Sequence, residues 1–441
     1  MNRFVWLACV SITACGTLCA GQGAPVAQNP AVAQNPAAAQ NAPAGRFYWL
    51  YRGGEHADEY KLSMFKSFVR VNDDQSQVEG TFAKNQEVKL NGLMLLHCDA
   101  DLTRAGGAEL LVEFWGGHPG TVNHRVSVNG RADYEFARDH PFKTVMHGCE
   151  PIKLRLNDLV QGWNAMQFNC DKGSSFWGHF IVRGANLRVL TSADQLDPPV
   201  DLAGLVPKRV ESDAGEANVK LDVPESLGGS IRSVRFELYH LGFDNNGDGV
   251  GHDWHELTQN GRHVNGVTDD APPFEATFDL TMLPDASDLR IRAVAEFAEP
   301  LRLVYETAPV AVEPEPREGV FVQMFHASGA NPSLWVRDTK TRSASIHVPL
   351  DPTRIERAEL HLVMFDGGVE DATDPFKLNG HVLPIDSNAD HATKYVVVPV
   401  EPGSLRAGVN ELSVTSNTKH HGIEVLMPGP VLVVRYRESS P

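Results

Sequence analysis

From Phe47 onward, apolar and polar side chains alternate over runs of four to eight residues. A period of two belongs to strands with one buried face. Leu110 to Phe114, Arg125 to Val128, Ile152 to Leu156, Arg235 to Tyr239, Leu289 to Ala293 and Tyr395 to Val398 all read this way. Asn-Gly, Gly-Gly and Asp-Gly pairs separate the runs, as tight hairpins require. Long helical periodicity is absent, and the pattern predicts an all-β protein.

The alternation also repeats on a larger scale. Ala108-Glu109-Leu110 returns as Ala358-Glu359-Leu360, and Asn129-Gly130 as Asn379-Gly380 at the same offset. Trp115-Gly116-Gly117 faces Phe365-Asp366-Gly367. Gly162-Trp163-Asn164 matches Gly408-Val409-Asn410, Gly178 matches Gly422, and Gly184-Ala185-Asn186-Leu187 matches Gly429-Pro430-Val431-Leu432. Two copies of one β-domain, residues 46–192 and 319–437, are therefore expected to bracket a middle segment, 200–316. The short strands of that segment, between Pro198-Pro199 and Pro314-Glu315-Pro316, suggest an immunoglobulin- or fibronectin-like sandwich.

The shared order of strands, Asn-Gly turn and Gly-x-Asn resembles the jelly-roll domains that serve as carbohydrate-binding or accessory modules in bacterial surface enzymes. Trp115-Gly-Gly-His118-Pro-Gly-Thr121, followed by Ser174-Ser-Phe-Trp-Gly-His179, looks like a group of exported multi-domain proteins. The resemblance implies two jelly rolls flanking the middle sandwich. It does not imply a particular activity, because jelly rolls host many.

The first 45 residues follow a different pattern. Arg3 and the apolar run Phe4 to Ala14 are too short to span a bilayer and read as an export signal over residues 1–20. Ile12-Thr13-Ala14-Cys15 resembles a lipobox with Cys15 as the lipid-bearing residue; ordinary cleavage near Ala20 is the alternative. Residues 21–45 repeat Pro, Ala, Gln and Asn and read as an extended tether. Localisation is thus expected to be periplasmic, cell-surface or secreted.

A formal charge of -17 over 441 residues argues against nucleic acid as a partner and against an anionic membrane surface. Membrane attachment is expected only through the lipid. Cys98, Cys149 and Cys170 fall in the folded part. If Ile152 to Leu156 and Ala165 to Asn169 pair as a hairpin, Cys149 and Cys170 come close enough for a disulfide, leaving Cys98 free.

Candidate chemistry is sparse. Asp244-Asn245-Asn246-Gly247-Asp248-Gly249 puts side-chain oxygens at alternate positions, as calcium loops do. Asp244, Asn246, Asp248 and Asp253 are the expected ligands of a structural calcium ion. An Asx-rich hairpin turn explains the same residues without metal. Trp115, His118, His124, Trp177 and His179 are candidate sugar-binding residues, with core packing as the alternative for both indoles. His420 and His421 are adjacent on a strand and point to opposite faces, which disfavours a metal site there. The Gly-x-Ser-x-Gly elbow, HExxH and phosphate-binding glycine loop are all missing. The expectation is non-catalytic binding of extracellular polysaccharide. An adaptor that docks surface proteins and a carbohydrate-active enzyme are the alternatives.

Overall fold

The computed structural model describes residues 45–73, 92–117, 120–136, 147–173, 178–192, 195–196, 205–211, 215–227, 229–255, 258–259, 262–263, 266–284, 288–299, 302–313, 317–328 and 334–438. The export segment, Cys15 and nearly all of the tether lie outside these residues, as do His118 and Trp177.

The described chain is all-β. In its first part, strand Gly107–Trp115 lies between His147–Leu154 and His179–Thr191. An opposing sheet runs Leu93–Cys98, Gly162–Lys172, Thr121–Val128, Ala132–Glu135. Leu110, Val112, Met166, Phe168 and Leu187 meet between the two sheets in one core. The last part has the same plan. Ile355–Gly367 pairs with Thr393–Val400, Gly422–Val425 and Val431–Arg437. Lys340–Val348, Gly408–Ser416, Phe376–Leu378 and His381–Val382 follow one another across its second sheet. Both parts are jelly rolls, each with its own core.

The repeated asparagines explain why the two copies fold alike. Asn129 and Asn379 adopt left-handed φ values of 52° and 53° at their turns. Asn129 Nδ2 donates to Asp158 O (2.8 Å) and Asn164 Oδ1 (2.9 Å), and its Oδ1 accepts from Ala165 N (2.8 Å). Asn379 makes the same three bonds to Ser404 O, Asn410 Oδ1 and Glu411 N. The second asparagine of each pair, Asn164 or Asn410, closes its own loop onto Val160 and Gly162, or Arg406 and Gly408. Each network locks the hairpin turn to the start of the neighbouring strand.

Backbone pairing corrects one detail of the repeat. Trp115 pairs with Ile181, and Phe365 pairs with Glu424. A Cβ on Gly117 would lie 1.8 Å from His179 O, and one on Gly367 would lie 2.5 Å from Gly422 O. His179, rather than Gly178, is therefore the structural counterpart of Gly422.

The middle part is a sandwich. Val206–Glu211, Glu216–Asp222 and Glu275–Asp279 form one sheet, and Ile231–Leu241, Arg290–Phe297 and Leu303–Glu306 belong to the other. That second sheet does not stop at the border with the first part. Strand Arg46–Arg52 pairs with His179–Thr191 on one side and with Leu303–Glu306 on the other. The result is one continuous 11-stranded sheet. Tyr51 enters the first core and Phe47 the middle core.

The expected Cys149–Cys170 hairpin does not form. His147–Leu154 pairs with Gly107–Trp115 in one sheet, while Gly162–Lys172 lies in the other. Consecutive strands here cross the sandwich instead of pairing. Cys98 and Cys170 are free and buried. Burial, followed by the nearby charge of Asp73, pushes the Cys170 thiol up to about 12, so it stays protonated and unreactive.

Candidate functional site

Three of the candidate sugar-binding residues are described, and all three turn toward protein. Trp115 is half-buried against an apolar cluster that includes Phe243, Met282, Val363 and Val433. This cluster joins residues from all three parts of the chain. The His179 ring lies 5.6 Å from Trp115, and its Nε2 is 3.3 Å from Arg70 Nη1. His124 donates from Nε2 to Gly116 O (2.9 Å), and its ring meets Phe180 edge-on at 4.7 Å. Burial holds the His124 imidazole below its ordinary pKa, so it is neutral. These residues join and fill domains rather than forming an open platform.

The Asp244–Gly249 loop is held largely by its own backbone. Asp244 accepts from Asp248 N (3.1 Å) and Gly249 N (2.8 Å), while Asp248 accepts from Val250 N (2.8 Å). Asn246 donates from Nδ2 to Asp248 Oδ2 at 3.2 Å. Asp253 turns to Trp254 N at 2.7 Å. Among the described residues, no three His, Cys, Asp or Glu side chains gather as a metal-ligand set. Of the expected calcium ligands, Asp244 Oδ1 and Asn246 Oδ1 both accept from Asp248 N, and Asn246 Nδ2 donates to Asp248 Oδ2. The loop's two acids still crowd each other: burial, then the charge of Asp248, pushes Asp244 up to about 7. A cation beside the pair would relieve that cost.

An open aromatic surface lies elsewhere, on the outer face of the first jelly roll. Alternation along Leu93–Cys98 and Gly162–Lys172 sends Met94, Leu96, Met166 and Phe168 inward. It sends His97 and Trp163, which are directly paired, outward. The chain between the first two strands crosses this face as a short helix, Ala57–Tyr60, and a 3-10 turn, Ser63–Phe65. Four rings surround Trp163 edge-on: His56 at 4.9 Å, His97 at 4.9 Å, Phe65 at 5.1 Å and Tyr60 at 5.7 Å. Tyr60 stacks on Phe65 at 4.4 Å.

The top of this cluster faces solvent. Tyr60 and Phe68 are each 41% exposed and Leu62 is 39% exposed. Polar groups lie at its edge. Glu59 accepts from His56 Nδ1 at 3.1 Å. Hydrogen bonds from Tyr60 and then His56 hold the Glu59 carboxyl below its ordinary range, and Glu59 raises the Tyr60 phenol in return. Arg302 Nη1 donates to Glu55 at 2.7 Å and ties this segment to the middle sandwich.

At the corresponding place, the described residues of the second jelly roll carry no such ring cluster. The pair His97–Trp163 corresponds there to His347–Val409, with Val409 59% exposed. Thr341, Ser343 and Ser345, paired with Thr415, Ser413 and Glu411, continue that strand pair. The sequence did carry a signal for the difference. Trp163 replaces Val409 in the Gly-x-Asn motif, and Tyr60, Leu62, Phe65 and Phe68 interrupt the β alternation.

No family model matches the chain, and no curated protein matches it. Among solved structures, it is similar to a beta-porphyranase of glycoside hydrolase family 86 from the human gut bacterium Bacteroides plebeius. Identity is 12%, the TM-score is 0.24, and the match covers 52% of this chain and 36% of that one. An exo-beta-1,3-galactanase from Phanerochaete chrysosporium is similar at 11% identity and a TM-score of 0.19, over 77% of this chain and 78% of that one. The chain thus spans about a third of the length of the porphyranase.

Proposed function

We propose that this is an exported, non-catalytic protein that binds a neutral extracellular polysaccharide on the outer face of its first jelly roll. The observation that carries this reading is the solvent-facing cluster built on Trp163 and Tyr60. An exposed aromatic patch on a folded surface marks a contact site. Ring faces are electron-rich and suit the C–H faces of a sugar, while His56, Glu59 and the Tyr60 hydroxyl can pair with sugar hydroxyls. Glu55, Asp58 and Glu59 border the patch in a chain of charge -17. That charge repels sulfated or uronate-rich polymers and favours neutral ones.

A glycan array probed with the full chain tests the reading. At least one neutral polysaccharide should be retained, and Trp163→Ala should lose it. Retention of none, or equal retention by the variant, would overturn the proposal.

The same reading includes a structural calcium ion on the Asp244–Asp248 loop, supported by two acids held close, Asp244 buried and Asp248 partly so, without a basic partner of their own in the loop. A chelator should lower the melting temperature by several degrees, and Asp248→Ala should remove that sensitivity. An unchanged melting temperature in chelator leaves an Asx turn without metal.

A further inference from the structure

The segment that crosses the first jelly roll contains a single helical turn, Ala57–Tyr60, with no side-chain cap at its start. One turn does not hold its shape alone, so the segment is fixed by what it touches. His56 begins the turn. Its ring meets Trp163 at 4.9 Å, its Nδ1 pairs with Glu59 at 3.1 Å, and its carbonyl accepts from Tyr60 N at 3.1 Å. Holding the chain at Glu55, one residue earlier, therefore sets the approach of His56, Glu59 and Tyr60.

Glu55 is held from the middle sandwich. Arg302 stands just before strand Leu303–Glu306 at a left-handed φ of 48°. Its carbonyl accepts from Leu50 N at 3.1 Å, which anchors it on strand Arg46–Arg52. From there its guanidinium reaches Glu55 Oε2 at 2.7 Å, with the two side chains only 28% and 23% exposed. It also lies 6.0 Å over the Tyr51 ring. Tyr51 donates to Asp99 at 2.7 Å, and Gln161 donates to Asp99 O at 3.1 Å. Asp99 follows His97 by two residues, and Gln161 precedes Trp163 by two. The surroundings of Arg302 thus reach all three stretches that carry the ring cluster. Burial pulls its guanidinium down, but the Glu55 hydrogen bond and charge, then the charges of Glu299 and Asp99, lift it above its ordinary value. Arg302 is a cation among three acids, which would repel one another without it in a chain of charge -17.

We infer that Arg302 is a positioning residue for the aromatic face: it holds Glu55, and through Glu55 the turn from His56 to Tyr60, in the conformation that sets Tyr60 beside Trp163. The first jelly roll and the middle sandwich then act as one binding unit, with the shape of the face set in part from the neighbouring domain. The inference rests on the glycan-binding reading above, but the order of the segment is measurable without any glycan.

Hydrogen–deuterium exchange of the full chain, read over residues 55–65, tests it beside titration with the neutral polysaccharide that the wild type retains best. Arg302→Gln should raise exchange across 55–65 and weaken the polysaccharide, each by about threefold or more, as loss of a partly exposed ion pair allows. Glu55→Gln should do the same. Arg302→Lys keeps the charge and should recover most of both losses. The double variant should be no worse than either single one, because both remove the same contact. Added salt should loosen 55–65 in the wild type and not in Arg302→Gln. Unchanged exchange and affinity in Arg302→Gln, with Trp163→Ala still losing polysaccharide, would overturn this inference alone. Glu55→Gln decides if Arg302→Gln fails to fold. If no neutral polysaccharide binds the wild type, the glycan reading falls, and the exchange measurement alone decides whether Arg302 orders the segment.

Discussion

Single asparagines carry much of the jelly-roll geometry. Asn129 holds a left-handed turn and three hydrogen bonds at once. Asn129→Ala removes the bonds and places a Cβ-bearing residue without local support at positive φ, which should cost about 2–4 kcal/mol. Asn129→Gly keeps the turn and should cost less; chemical denaturation of the two variants separates the contributions. His240 makes a different prediction. Burial, then its stacked neighbour His255, pushes its imidazole down to about 3. The folded state therefore refuses a proton that the unfolded chain accepts below about pH 6.5. Between pH 6.5 and 3 the unfolded state binds more protons, so stability falls as pH falls. Melting temperatures across that window should drop less steeply in His240→Gln than in the wild type.

Among the elements, strand Arg46–Arg52 has the largest reach. It is hydrogen-bonded on both edges and feeds two cores. At its seam Tyr48 donates to Glu306 at 3.0 Å, and Arg188 and Arg292 lie within 3.4 and 3.6 Å of the same buried carboxylate. Glu306→Ala removes a buried carboxylate that Tyr48, Arg188 and Arg292 all meet and should cost about 3–5 kcal/mol. Because the sheet is continuous, the first and middle parts should still melt in one transition; two separated transitions would show that the seam does not couple them. This strand also marks where sequence reading reached its end. Asn-Gly and Gly-x-Asn are local signals, so the repeat and the jelly-roll order were legible. Pairing of Phe47 with Tyr305 spans the chain and leaves no local mark. The Cys149–Cys170 expectation went wrong for the same reason: alternation marks a strand but does not name its partner. For Trp115 the sequence left a sugar platform and core packing both open, because side-chain type says nothing of exposure. Tyr60 and Trp163 became visible only once the fold placed them together.

For the whole molecule, the proposed binding face lies apart from the apolar junction that holds its parts together. The two jelly rolls share one turn network, yet among the described residues the aromatic crossing segment belongs to the first. The second contributes Val363, Val433 and Tyr395 to the apolar junction with the middle sandwich. Both copies join the middle sandwich, the first through its continuous sheet and Trp115 and the second through this apolar junction. Binding that relies on ring stacking and neutral hydrogen bonds should depend weakly on salt, unlike binding that relies on charge. The most direct test is isothermal titration of the full chain with the neutral polysaccharide it retains best, beside Tyr60→Ala. Tyr60 is exposed, so its loss should leave the melting temperature within a few degrees. The account predicts at least tenfold weaker binding by Tyr60→Ala, about 1.4 kcal/mol or more. Equal affinity in the variant and the wild type would contradict it.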